Sequence, residues 1–396
     1  MYYLRLLFIA TLAPFFLNGQ TLHTVRPNDA DPESSAPNNF HLAYISEITP
    51  HKNKLFLFFP GTGGVPFLYR EILKHAANLG YHSIGLTYPN DEAINQICLT
   101  STDTTCHSRA RLEIFDGIDR HSEVNVDEYN CIERRVLKLL EFLDDESPNE
   151  NWGQFISEGE ILWEHIIVSG HSQGGGHAGI ISKIKKVERV VMFAAMDWMP
   201  ILNRNADWIT WIGETEESNY YGLAHEEDEM VNFSTLLTTW QNYGMANFGS
   251  KVLVDTTTTP FNNSLQLYTQ LTPANDPSKF HGAMVADSYT PIENGQPILR
   301  TVWTYMLEGN DEVLSTEGIK FKTVKAYPNP VSSKLSLDCL GCDEAEFEVR
   351  NTQGKLLNTG NVSNKEIDFS ELPKGMYILS LSKNNHPKYV IKVLKE

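Results

Sequence analysis

Gly170-His171-Ser172-Gln173-Gly174 is the stretch that most constrains what this chain can fold into. A serine set between glycines at this spacing suits a strand that turns sharply into a helix and leaves the hydroxyl projecting. The pentapeptide recurs by chance, so its flanks carry the reading. His165-Ile166-Ile167-Val168-Ser169 is short, apolar and β-branched, as a strand buried on both faces must be. Gly174, Gly175, Gly176 and Ala178 follow, then Ile180 and Ile181, the opening of a tightly packed helix. Small residues have a steric cause there, because the serine's backbone brings main chain too close for a Cβ. A Gly-rich loop is the bland alternative.

The surrounding chain alternates short apolar strands with amphipathic helices. Lys54–Phe59 reads as a strand and leads into Pro60-Gly61-Thr62-Gly63-Gly64. A phosphate loop would need G-x-x-x-x-G-K-[ST], which is not present. Phe67–Leu79 has helical spacing with Gly80 at the C-cap, and Tyr81–Tyr88 is the next strand. Asn90–His121 shows no clear period and reads as an insertion, either covering a substrate or decorating the scaffold. Asn125-x-x-Glu128 predicts a capping box ahead of a long helix faced by Tyr129, Ile132, Val136, Leu139, Leu140 and Leu143. Strands are expected at Arg189–Phe193, Tyr220–His225, Lys251–Asp255 and Ser264–Leu271, and helices at Thr235–Tyr243 and Pro297–Met306. This alternation implies an α/β fold with a mostly parallel sheet covered by helices on both faces.

With that elbow, this part of the chain resembles the α/β-hydrolase superfamily, specifically its bacterial members with a Gly-His-Ser-Gln-Gly elbow. The resemblance implies Ser172 as nucleophile, followed in chain order by an acid and then a histidine. Asp228 fits the acid, because His225-x-x-Asp228-x-x-Val231 follows a strand. Asp197, after the preceding strand, is the rival. His281 is the only histidine between the acid loop and the last helix of this region, and is the expected base. His171 and His177 are given roles in packing or in supporting the site. The backbone N–H groups of Thr62 and Gln173 are the expected oxyanion donors. The implied activity is a serine hydrolase cleaving small-molecule, lipid or polymer esters, without metal or cofactor. A peptidase or an acyltransferase would use the same residues. A non-catalytic surface binding protein on a retired scaffold is the alternative from another class.

The ends of the chain speak to its destination. Residues 1–19 read as a signal peptide, with Arg5, an apolar run Leu6–Leu17 too short to span a bilayer, and Gly19 at the cleavage site. No later segment approaches transmembrane length. Residues 20–39, rich in Pro, Asn, Asp and Ser, read as a loose leader before a catalytic domain at 40–310. Export permits disulfides, so Cys98 and Cys106 are expected to staple the polar loop between them. Cys339-x-x-Cys342 could close a turn or bind metal, and Cys131 is expected to be a buried free thiol. Lys and Arg number 32 against 50 Asp and Glu, and the net charge of -18 argues against nucleic acid or an anionic membrane as partner.

After a linker at 311–320 the composition changes. Residues 321–396 hold 11 basic and 9 acidic side chains, +2 here against -20 for the rest, with many short strands and almost no helical pattern. Tyr327-Pro328-Asn329-Pro330-Val331, Val349–Leu356, Ile367-Asp368-Phe369-Ser370 and Leu372–Tyr377 resemble, in order, the C-terminal sorting domain of the type IX secretion system. That resemblance implies a small β-sandwich, the secretion machinery as partner, and a secreted or cell-surface protein. A carbohydrate-binding or adhesive module is the bland alternative.

Overall fold

A computed structural model describes residues 19–309 and 325–396, apart from 339–344, 352–354, 364 and 383–388. Residues 1–18 of the expected signal peptide, the linker at 311–320 and the Cys339/Cys342 pair lie outside the described residues. The chain divides at Gly309 into two units.

In the first unit nine strands make one sheet: β1 Gln20–Val25, β2 His41–Ser46, β3 Leu55–Phe59, β4 His82–Gly85, β5 Ile166–His171, β6 Arg189–Phe193, β7 Tyr220–His225, β8 Val252–Leu253 and β9 Gln266–Thr269. Their order is β1-β2-β4-β3-β5-β6-β7-β9-β8. The pairs β1/β2 and β2/β4 are antiparallel, and every other neighbour is parallel. This is the α/β-hydrolase fold. Leu55–Phe59 and Ile166–Val168 are wholly buried, so the central strands need cover on both faces.

The helices supply that cover: α1 Arg70–Asn78, α2 Ile94–Ile97, α3 Cys106–Asp116, α4 Ile132–Glu146, α5 Gln173–Ile184, α6 Phe233–Asn242 and α7 Arg300–Glu308. On α4, Ile132, Val136, Leu139, Leu140 and Leu143 are fully buried, three or four residues apart, so they share one face.

Four sequence expectations are revised. The leader opens as β1, paired with β2 along its length, and is not loose. Arg135 holds the following segment by donating to the carbonyls of Ala36 and Pro37, while Asn130 Oδ1 accepts from the Ser35 and Ala36 N–H groups. The Asn125/Glu128 capping box does not form, because Asp127 Oδ1 takes the Tyr129 and Asn130 N–H groups and α4 starts only at Ile132. The aperiodic insertion contains α2 and α3. Its period is hidden because α3 buries polar His107, Ser108, Arg111 and Glu113 beside apolar Ala110, Ile114 and Phe115. The last helix begins at Arg300, since Gln296–Pro297 pairs with Ile292–Glu293.

The second unit holds β10 Lys325–Tyr327, β11 Lys334–Asp338, β12 Glu346–Asn351, β13 Leu356–Asn361, β14 Glu366–Asp368, β15 Gly375–Ser382 and β16 Tyr389–Lys395. They form antiparallel sheets β10-β11-β14 and β13-β12-β15-β16. Leu335, Leu337 and Ile367 from one sheet share a buried core with Val349, Leu379 and Leu381 from the other, so the unit is a small β-sandwich.

Candidate active site

Ser172 follows β5 and caps α5 with φ 54° and ψ -118°, a conformation L-residues rarely adopt. The turn is tight enough to dictate its neighbours. A Cβ on Gly174 would lie 2.0 Å from the Phe59 carbonyl oxygen, and one on Gly170 would lie 2.3 Å from the Gly174 carbonyl carbon. The serine is half-buried at the N-terminus of α5, where unpaired N–H groups and the helix dipole favour negative charge.

Asp228 and His281 come from different loops and meet. The His281 Nδ1–H donates to both carboxylate oxygens of Asp228, at 2.8 and 3.0 Å. Asp228 Oδ1 also accepts the Met230 and Val231 N–H groups, each at 2.8 Å, so its side chain is fixed and fully buried. Because Nδ1 carries the proton, Nε2 of the neutral ring is the acceptor. It is buried and has no hydrogen-bond partner among the described residues.

The His281 peptide is gripped as well. Its N–H donates to Glu229 Oε2 at 2.8 Å, and its carbonyl accepts from His171 Nε2–H at 2.7 Å. His171 is Ser172's chain neighbour, and its ring lies 4.6 Å from that of His281, centroid to centroid. Burial and the nearby His281 push the His171 pKa down to about 3, so the ring is neutral. Neighbouring His177 is fully buried against Tyr88, and burial holds its pKa well below the ordinary value.

Asp197 is turned elsewhere. It makes a double hydrogen bond with Arg111, Nε to Oδ2 at 2.5 Å and Nη2 to Oδ1 at 2.6 Å, and accepts from Trp208 Nε1–H at 2.9 Å. Burial alone would raise its pKa, but the Arg111 charge and hydrogen bonds outweigh that and hold it far below the usual carboxylate range. Arg111 Nη1 also donates to the Gln173 carbonyl at 2.9 Å.

Thr62 and Gln173 are brought together. Thr62 Oγ1 donates to Gln173 Oε1 at 3.1 Å, and the Ile94 N–H donates to the same oxygen at 3.0 Å. Neither the Thr62 N–H nor the Gln173 N–H makes a hydrogen bond among the described residues. Asn90 secures the glycine loop, donating from Nδ2 to the Gly61 and Gly64 carbonyls and accepting the Gly63 N–H. Cys98 and Cys106 are joined as a disulfide, with His121 Nε2 lying 3.3 Å from Cys106 Sγ. With both sulfurs bonded to each other, no thiolate is left there to ligate a metal.

Arg111, Asn90, Glu229 and Tyr69, whose Oη lies 3.0 Å from His171 Nδ1, support this constellation and were not singled out from the sequence. Glu229 had a usable signal in its place beside Asp228. Arg111 had none, because its helix carries no apolar period.

Residues 325–396 match the family described as secretion system C-terminal sorting domain. No curated protein matches the chain. Among solved structures, an α/β hydrolase named MGS-M1, from a Medee basin deep-sea metagenome library, is similar at 13% identity with a TM-score of 0.36, covering 73% of this chain and 95% of that one. A Klebsiella pneumoniae protein assigned as a dienelactone hydrolase is similar at 12% identity and TM-score 0.38, covering 74% and 98%. PorZ of the Porphyromonas gingivalis type IX secretion system is similar at 15% identity and TM-score 0.17, covering 21% of this chain and 12% of PorZ.

Proposed function

We propose that this α/β-hydrolase-fold chain, exported by its C-terminal sorting domain, is a serine hydrolase that cleaves carboxylic esters through an acyl-enzyme. The observation that carries the reading is the Asp228–His281 contact at 2.8 Å, which leaves His281 Nε2 an acceptor with no partner among the described residues, while the His281 carbonyl is tied to His171, the chain neighbour of the strained Ser172. Nε2 takes the Ser172 proton as Oγ attacks the ester carbonyl carbon. The tetrahedral oxyanion accepts hydrogen bonds from the Thr62 and Gln173 N–H groups, each worth about 3–4 kcal/mol in the transition state by analogy with measured oxyanion donors. The C–O bond then breaks, and the imidazolium returns its proton to the leaving alkoxide. Water, deprotonated by the same nitrogen, releases the acid and restores Ser172. Asp228 keeps the proton on Nδ1 and stabilises the imidazolium.

A series of p-nitrophenyl esters of increasing acyl length, assayed with the full chain and with Ser172→Ala, tests the reading. Turnover of at least one ester by the wild type and its loss in Ser172→Ala are expected. Equal turnover by the two proteins would contradict it.

A further inference from the structure

Beyond the catalytic residues, Tyr69 and His171 form a continuous hydrogen-bonded path from the glycine loop to the His281 loop. The Gly61 N–H donates to Tyr69 Oη at 3.3 Å. Tyr69 Oη and His171 Nδ1 lie 3.0 Å apart, and His171 Nε2 lies 2.7 Å from the His281 carbonyl oxygen. The proton positions follow from the ends of the path. A carbonyl only accepts, so His171 Nε2 carries the hydrogen and neutral Nδ1 is an acceptor. Tyr69 therefore donates its O–H to Nδ1 while accepting from Gly61.

We infer that Tyr69 and His171 are positioning residues, a bridge that sets the glycine loop carrying Thr62 and the backbone of His281 relative to Ser172. The inference rests on the proposed hydrolase reading for its catalytic consequence, but the bridge itself is a separate physical claim. Three further observations support a rigid device. Both side chains are buried, at 4% exposure for Tyr69 and 6% for His171. A Cβ on Gly61 would come within 3.2 Å of His171 Nδ1, so the glycine loop packs directly on that ring. Burial also pushes the Tyr69 phenol up to about 12 and His171 down to about 3, so neither ionises in the working range and the donor order stays fixed. A neutral His171 matters for another reason. His281 becomes cationic during turnover 4.6 Å away, and a charged ring at that distance would oppose it.

Two measurements test the bridge. In spectra of the full chain carrying 15N-histidine, the His171 signal, identified by its loss in a His171 variant, should report a single Nε2–H tautomer from pH 5 to 8. Its Nδ1 resonance should move in Tyr69→Phe. A Nδ1–H tautomer, or titration within that range, would overturn the bridge whether or not the protein is a hydrolase. In the ester assay, Tyr69→Phe should lower kcat on the order of 10- to 100-fold with KM within about twofold, because the lost bond misplaces groups that act in the transition state. An unchanged kcat in folded Tyr69→Phe would also overturn it. A wild type that turns over no ester would instead sink the hydrolase reading and leave the tautomer to decide the bridge.

Discussion

Arg111 and Asp197 face each other as a fully buried ion pair, and Arg111 reaches past it to the Gln173 carbonyl. The pair underlies the elbow helix, and Gly176 makes room for it, since a Cβ there would lie 2.1 Å from Arg111 Nη2. Removing one partner leaves an uncompensated buried charge. Arg111→Met should therefore cost about 3–5 kcal/mol of stability. A melting temperature within a degree or two of wild type would contradict this role.

The two aspartates then separate by experiment. Asp228→Asn keeps an oxygen for the Met230 and Val231 N–H groups but presents the wrong partner to His281 Nδ1. It should melt near wild type and lose on the order of 10⁴ in kcat, as the equivalent change does in a serine protease. Asp197→Asn should do the reverse, losing stability and much less kcat. The opposite ranking on one activated ester would move the acid to Asp197.

The Cys98–Cys106 disulfide closes a short loop between α2 and α3, spanning a separation of 8 residues. Breaking it, by reduction or in Cys98→Ser/Cys106→Ser, should cost roughly 2–3 kcal/mol by the loop-entropy argument. Peptide mapping without reduction should find both residues joined. Free thiols at both positions in exported protein would end the idea.

Acid should destabilise the first unit steeply. Burial lowers His41 and His171 to about 3, and His75 and His82 to about 4, against 6.5 in the unfolded chain. Between about pH 6.5 and 4 the unfolded chain binds protons that the native state refuses, so stability falls as pH falls. Each such histidine contributes up to about 1.4 kcal/mol per pH unit, and the loss levels off once pH drops below the native values. Melts from pH 7.5 to 4.5 check this, and a flat or rising melting temperature on acidification would contradict it.

Much of this architecture was legible beforehand because its causes are local. Leu55–Phe59 and Ile166–Val168 are apolar throughout, and the elbow's glycines answer a backbone clash beside Ser172. Asp228 and His281 were paired from chain order and strand ends, and their side chains do meet. What escaped was whatever depends on tertiary partners. Arg111 looks like a surface residue until Asp197 is placed against it, and β1 looks like a polar leader until β2 supplies its ladder. The Tyr69–His171 bridge joins residues 102 apart in sequence, with no spacing to betray it.

Deleting residues 310–396 should leave the first unit folded and retain whatever ester turnover the full chain shows, since the two units have separate cores and the proposed site residues all lie in the first. The truncated chain should accumulate in the periplasm. Normal export without the tail would contradict the sorting role of residues 325–396.

The most direct test of the central claim is labelling by a fluorophosphonate, which reacts covalently with an activated serine. The full chain should be labelled stoichiometrically, with the adduct on the peptide containing Ser172 and no label in Ser172→Ala. Failure of the folded wild type to label, or equal labelling of both proteins, would contradict it.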